Sequence, residues 1–241
     1  MHGIAEVLTF WFSEESRRQW FAPTPEFDQE IRNRFAAPSA RAAVGELSPW
    51  AQSPKGCLAL CVLLDQMPRN MFRGTPRAYA TDHKALEVAK RAVSKGLDRG
   101  LPPEQKQFLY LPFSHSERLA DQARALALFE AAGLDEGLVY VQGHLAIIRR
   151  FGRFPHRNAI LGRSSTPEER HFLAQNPEDY GQGVERSDRP AGPSDPDRPD
   201  QDRPDPDRPD QDRPDPDRPD PDRPDPDRPD PDPAAKAVAG R

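Results

Sequence analysis

Cysteine is scarce in this chain. The two present, Cys57 and Cys61, lie one helical turn apart inside an apolar run. On a helix they share a face, where a free thiol packs as a small hydrophobe. A disulfide at that spacing would strain the helix, and no further cysteine or nearby histidine completes a zinc ligand set. No apolar run approaches the ~20 residues that cross a bilayer, and Met1 to Phe12 lacks the basic start and cleavage site of a secretory signal. These absences predict a cytoplasmic protein with no membrane partner. A glycine-rich phosphate loop, a Gly-x-Ser-x-Gly turn and a dinucleotide fingerprint are also missing, so the sequence calls for no cofactor.

Proline, by contrast, is abundant, and most of it is in one place. Of 241 residues, 29 are Pro, and seven consecutive pentads of Asp-Pro/Gln-Asp-Arg-Pro run from Asp195 to Pro229. Asp195 to Pro233 hold 16 Asp and 7 Arg, a net of −9; Lys236 and Arg241 restore two charges, so the whole-chain −5 leaves about +2 for Met1 to Ser194. That body contains all 12 Phe and all 3 Trp. The division predicts a globular domain over residues 1–181 and a disordered Pro/Asp/Arg repeat tail over 182–241. Extended like polyproline at ~3.1 Å per residue, the pentad segment of the tail would reach on the order of 100 Å. It serves either as a solvated appendage or as a linker and docking segment. A near-neutral body gives no electrostatic case for nucleic acid.

Helix signals dominate the body, and strand alternation is rare. Ile4 to Phe12 places Val7, Leu8, Trp11 and Phe12 on one side. Thr24-Pro25 opens a helix to Phe35, and Ser53-Pro54 opens another that Pro68 should end, because the residue before proline avoids the α region. Thr75-Pro76 starts a further stretch, and Thr81 caps a helix closing at Gly96. Pro102 to Leu109 should be broken by Pro112. A long helix from His115 to Ala132 is stopped by Gly133. Leu138 to Arg150 carries Tyr140, His144, Ile147 and Ile148 on one stripe, and Thr166-Pro167-Glu168-Glu169 forms a capping box for a last helix to Gln175. So many short helices predict an all-α domain, an α-α superhelix or irregular bundle, without a strict 34-residue period.

Two segments resemble each other. Asp65-Gln66-Met67-Pro68-Arg69-Asn70-Met71-Phe72-Arg73-Gly74-Thr75-Pro76 is echoed by Phe154-Pro155-His156-Arg157-Asn158-Ala159-Ile160-Leu161-Gly162-Arg163, which continues to Ser165-Thr166-Pro167. Each places Arg-Asn at a turn ahead of a helix N-terminus, where unpaired N–H groups favour anions. Arg adds planar, bidentate donors. Arg69, Asn70, Arg73, Arg153, Arg157, Asn158, Arg163 and Gln122 are therefore candidate ligand-binding residues for a small anionic or phosphorylated ligand. The same side chains at turns also serve to tie down carbonyls or pair with Asp65 and Glu117.

Leu111-Pro112-Phe113-Ser114-His115-Ser116-Glu117 forms a third block. His115, Glu117, Asp65 and His156 have the residue types for acid–base work or for a mononuclear metal. The ligand spacing of a metal site is missing, with no His-x-x-x-His or Cys-x-x-Cys. Ser114 and Ser116 adjoin His115 in sequence, which is not the spatial arrangement of a triad. His115 and His144 also read as hydrogen-bonded core histidines. The competing functional class is a non-catalytic scaffold with a concave groove for a peptide.

Val7-Leu8-Thr9-Phe10-Trp11-Phe12, Leu63-Leu64-Asp65-Gln66-Met67-Pro68-Arg69-Asn70, Leu111 to Glu117 and Phe151-Gly152-Arg153-Phe154-Pro155-His156-Arg157-Asn158 resemble the bacterial family known as domain of unknown function 924. The resemblance runs from about Ile4 to Tyr180. It implies a fold similar to tetratricopeptide-repeat proteins, and it implies no established activity. The repeat tail lies outside it.

Overall fold

The computed structural model describes residues 3–20 and 22–176; the tail expected over 182–241, and the domain boundary at 181, lie outside the described residues. All regular structure among the described residues is helical, and no described helix is long and apolar enough to cross a membrane. Helix α1 (Ile4–Trp11) buries Val7, Leu8, Phe10 and Trp11, and the short α2 (Glu14–Arg17) is capped by Ser13. Helix α3 (Pro25–Ala43) starts with the Thr24 hydroxyl accepting from the Phe27 N–H at 3.3 Å. It runs past Phe35, where the sequence predicts its end, because Pro38, Ser39 and Ala42 continue the buried face.

Helix α4 (Pro54–Cys61) is the centre of the main core: every residue from Gly56 to Cys61 is buried, and α1, α6 and α7 pack around it. Instead of ending at Pro68, the chain passes through a π-helical turn (Val62–Gln66) into α5 (Met67–Met71). Pro68 supplies no N–H to the carbonyl four residues earlier. That carbonyl, on Leu64, instead accepts a hydrogen bond from the Thr81 hydroxyl at 2.5 Å. Thr81 thus precedes α6 (Asp82–Ser94) without capping it through its side chain; its hydroxyl completes the turn beneath Pro68.

Helix α6 buries Ala85, Ala89 and Ala92, small residues that allow close approach to α4. Helix α7 (Pro103–Ser114) runs through Pro112, another departure from expectation, with Pro112, Phe113 and Ser114 all buried in its last turn. His115 is the residue that closes α7 and does not begin α8 (Leu119–Ala131); it shares no helix face with Gln122. Helix α9 (Asp135–Phe151) follows and ends on Gly152, whose φ of +71° fits only a left-handed cap. Its buried stripe is Val141, Leu145, Ile147 and Ile148, while Tyr140 is 67% exposed. A single 3-10 turn (Pro155–Arg157) leads to α10 (Pro167–Gln175), where the expected Thr166–Glu169 capping box is present in both directions.

From α6 to α9, helices adjacent in sequence are adjacent in space, an order consistent with an α-α superhelix. A second, small core of Ile147, Ile148 and Phe154 gathers Phe151 and Phe172 beside the main one. The polar cluster described next lies where the two cores meet. The Thr81–Leu64 bond makes a direct prediction. Thr81→Val leaves the Leu64 carbonyl unpaired and should cost about 1–3 kcal/mol in urea unfolding, whereas Thr81→Ser keeps most of the stability. Equal loss in both variants would show that the hydroxyl is not what matters.

Candidate functional site

The Asp65 carboxyl projects from the π turn and is completely buried. A charge so placed costs several kcal/mol unless it is paired and hydrogen-bonded. His115 Nδ1 lies 2.8 Å and 3.0 Å from its two oxygens, the Arg69 guanidinium lies 3.2 Å away, and the Gln66 amide donates to it. Burial pushes the Asp65 carboxyl up, but Arg69 and His115 outweigh it and hold the group well below the usual carboxylate range.

His115 is aimed by its backbone. Its N–H donates to Leu111 O at 3.0 Å, and the turn behind it is pinned by Gln122, whose amide donates to Ser114 O at 2.7 Å and Ser116 O at 2.6 Å. Burial, reinforced by Arg69, lowers the His115 pKa against the pull of Asp65, so the ring is neutral at neutral pH. With its proton on Nδ1 facing the carboxylate, Nε2 is the acceptor.

The two Arg-Asn blocks meet the His115 block here. Arg69 donates through both terminal nitrogens to Asp82, at 3.0 Å and 2.9 Å, and to Asp65 O at 2.5 Å. Arg157 is 7% exposed; its Nη1 donates to the His115 carbonyl at 3.0 Å and lies 3.6 Å from Asp82. Both guanidinium groups lie over the Tyr79 ring, Arg69 at 5.7 Å and Arg157 at 4.7 Å from its centroid. Burial, and then the charge of Arg69, pull the Arg157 pKa below its ordinary value despite Asp82. Its Nε and the Tyr79 hydroxyl are buried atoms without hydrogen-bond partners among the described residues. Burial also raises the Tyr79 pKa against both arginines, so its hydroxyl stays protonated.

His144 and His156 form the far wall. The His144 ring lies 6.1 Å from His115 and 5.1 Å from Phe154, and Nδ1 approaches Ser114 O at 3.1 Å. His156 lies 5.4 Å from Phe154. Burial, seconded by neighbouring positive charge, takes His144 down to about 3 and His156 to about 2. Among the described residues no three His, Cys, Asp or Glu side chains gather as metal ligands.

The other candidates lie off this cluster and already hold carboxylates. Asn70 and Arg73 both bond to Asp28, at 2.7 Å and at 2.8 and 2.9 Å. Arg153 and Asn158 both bond to the buried Glu169, at 2.6 and 2.8 Å and at 3.3 Å. Arg163 makes a bidentate pair with Glu117 at 2.7 and 3.0 Å, and Glu117 also accepts from the Phe154 N–H. Burial raises the Glu117 pKa, but Arg163 and that N–H bring it below the usual range. In each block, then, Arg of the Arg-Asn pair turns to the centre and Asn turns outward to a carboxylate shared with a second arginine. Tyr79 and Asp82 belong to the centre and escape the sequence reading, since Ala78-Tyr79-Ala80-Thr81-Asp82 matches no motif.

Residues 7–177 match the family described as bacterial protein of unknown function, DUF924. A solved structure of a protein of unknown function from Agrobacterium tumefaciens is similar at 42% identity, with 71% of this chain and 97% of that chain covered and a TM-score of 0.68. No curated protein matches the chain.

The buried histidines set the acid response of the fold. Folded, His144 and His156 stay neutral; unfolded, they take up protons as pH falls below about 6.5. Their contribution is therefore intact above that pH. Below it, stability is lost at about 1.4 kcal/mol per pH unit for each ring, down towards the folded values near 3 and 2. Urea midpoints should drop between pH 7.5 and pH 5.5, and the double variant His144→Gln, His156→Asn should flatten that dependence. An unchanged slope in the variant would contradict it.

Proposed function

The chain belongs to the bacterial family DUF924, and we propose that its helical domain binds a small, singly charged anion, a carboxylate or phosphate ester, at Arg157 and Tyr79. The observation that carries this reading is that two of the orphaned buried polar atoms, Arg157 Nε and the Tyr79 hydroxyl, belong to side chains in contact, with the guanidinium 4.7 Å from the ring centroid. Leaving such groups unpaired costs on the order of 1–3 kcal/mol each, and native folds retain them chiefly where a ligand or solvent supplies the partner. Of the two central arginines Arg157 is the less compensated: its carboxylate partner stands at 3.6 Å, while Arg69 has Asp82 at 2.9 Å and Asp65 at 3.2 Å.

Charge limits what fits. Asp65 and Asp82 are balanced by Arg69 and Arg157, and His115, His144 and His156 are neutral. A dianion would leave twice the uncompensated charge of a monoanion in a site with little water to screen it. The ligand therefore carries one negative charge and draws Arg157 away from Asp82. The scaffold alternative draws no comparable support from the exposed apolar side chains, which are scattered at Val44, Leu119, Val139 and Tyr140.

Differential scanning fluorimetry with acetate, dimethyl phosphate and inorganic phosphate tests this reading. A monoanion that binds should raise the melting temperature saturably, since a ligand at a hundred times its Kd stabilises by about 2.7 kcal/mol. Arg157→Gln should remove the shift and Arg157→Lys should weaken it, while Arg41→Gln, on the surface, should not change it. A flat response to all three anions in the unmodified protein would overturn the proposal.

A further inference from the structure

Resting on that anion-binding reading, we propose that the site is hydrolytic, with His115 Nε2 as general base for a water that attacks the phosphorus of a phosphodiester monoanion held by Arg157 and Tyr79. The geometry supplies the base. Asp65 holds Nδ1 at 2.8 Å, fixes the ring in one orientation and stabilises the imidazolium that forms when Nε2 accepts a proton. This is the base–orienter half of a nucleophile–base–acid arrangement. Around the His115 ring stand Asp65 from the π turn, Arg69 from α5, Asp82 from α6 and His144 from α9, while Arg157 from the 3-10 turn bonds the His115 carbonyl.

The nucleophile half is not a side chain. Ser114 Oγ donates to Leu111 O at 2.9 Å and Ser116 Oγ to Asp121 at 2.9 Å, so both neighbouring hydroxyls are committed elsewhere. The buried thiols are committed too, Cys57 to Ala51 O and Cys61 to Ala85 O. Water is the remaining attacker. A phosphodiester suits the charge balance because it carries one negative charge; a non-bridging oxygen meets the Arg157 donor, and the bridging oxygen of the leaving group meets the Tyr79 hydroxyl.

In the step itself, Nε2 takes one proton from water as the water oxygen bonds to phosphorus. The P–O bond to the leaving group breaks with its electron pair, and the leaving oxygen takes the proton of the Tyr79 hydroxyl. The His115 imidazolium then returns a proton to the Tyr79 phenolate through solvent. The products are a phosphate monoester and an alcohol, with water as the only co-reactant. His115, Arg157 and Tyr79 touch the substrate; Asp65 and Gln122 are positioning residues.

The probe is bis(p-nitrophenyl) phosphate, with binding followed by fluorimetry and turnover by p-nitrophenolate release. The unmodified protein should bind it and hydrolyse it above the buffer rate. His115→Asn keeps a donor for Asp65 where Nδ1 stands but has no Nε2; it should retain the thermal shift and lose about 10²–10⁴-fold in kcat, the range of a general base. Asp65→Asn should lower kcat and move the acid limb of the pH–rate profile to lower pH, a displacement that a merely structural role would not cause. Binding without turnover, or His115→Asn turning over as the unmodified protein does, overturns the hydrolytic step and leaves the anion site standing. Failure of all the anions to bind removes the reading beneath it.

Discussion

A carboxylate with no access to solvent has to be met by charge and hydrogen bonds from its surroundings, and Asp65 is such a group. Its partners come from three places in the chain: Gln66 on the same π turn, Arg69 one turn later, and His115 at the end of α7. Each partner brings obligations of its own. Arg69 needs Asp82, which sets the start of α6 against α5. His115 needs its turn fixed, which Gln122 does from α8, and its carbonyl receives Arg157 from beyond α9. The convergence of α5, α6, α7, α8 and the Pro155–Arg157 turn follows from satisfying one buried charge.

Much of this was legible in the sequence, and the limits have physical causes. The Ser/Thr-Pro helix starts at Ser53, Thr24 and Thr166 were readable because capping is local: the hydroxyl and the N–H it serves lie three residues apart. Pro68 and Pro112 were misleading for the complementary reason. A proline breaks a helix when nothing answers for the lost donor, and at Pro68 the answer comes from Thr81, far along the chain. Arg69, Arg157, His115 and Asp65 stood out as residue types in distinctive blocks, and they do meet. Which arginine faces the centre and which holds a carboxylate was not legible, because Asp28 and Glu169 are supplied by α3 and α10.

The repeated Arg-Asn block illustrates how one local pattern can serve two purposes. Asn70 with Arg73 on Asp28, and Asn158 with Arg153 on Glu169, fix their segments by charge-assisted hydrogen bonds. That fixing is what allows Arg69 and Arg157 to be presented from a rigid backbone. Both presented cations approach the Tyr79 ring, which gives them an apolar, electron-rich surface to rest on. Neighbouring histidines stripped of their charge keep the cluster from accumulating positive potential.

The order in which the parts leave the ribosome gives the Glu117 contacts another meaning. Asp65, Arg69 and Asp82 are all synthesised long before Arg157. Without residues 154–163, which dock through Glu117 and Arg163, the centre would hold two carboxylates and one guanidinium, a net negative charge among apolar helices. The last segment therefore supplies the charge that the earlier chain leaves unbalanced, and with it in place the interior is neutral.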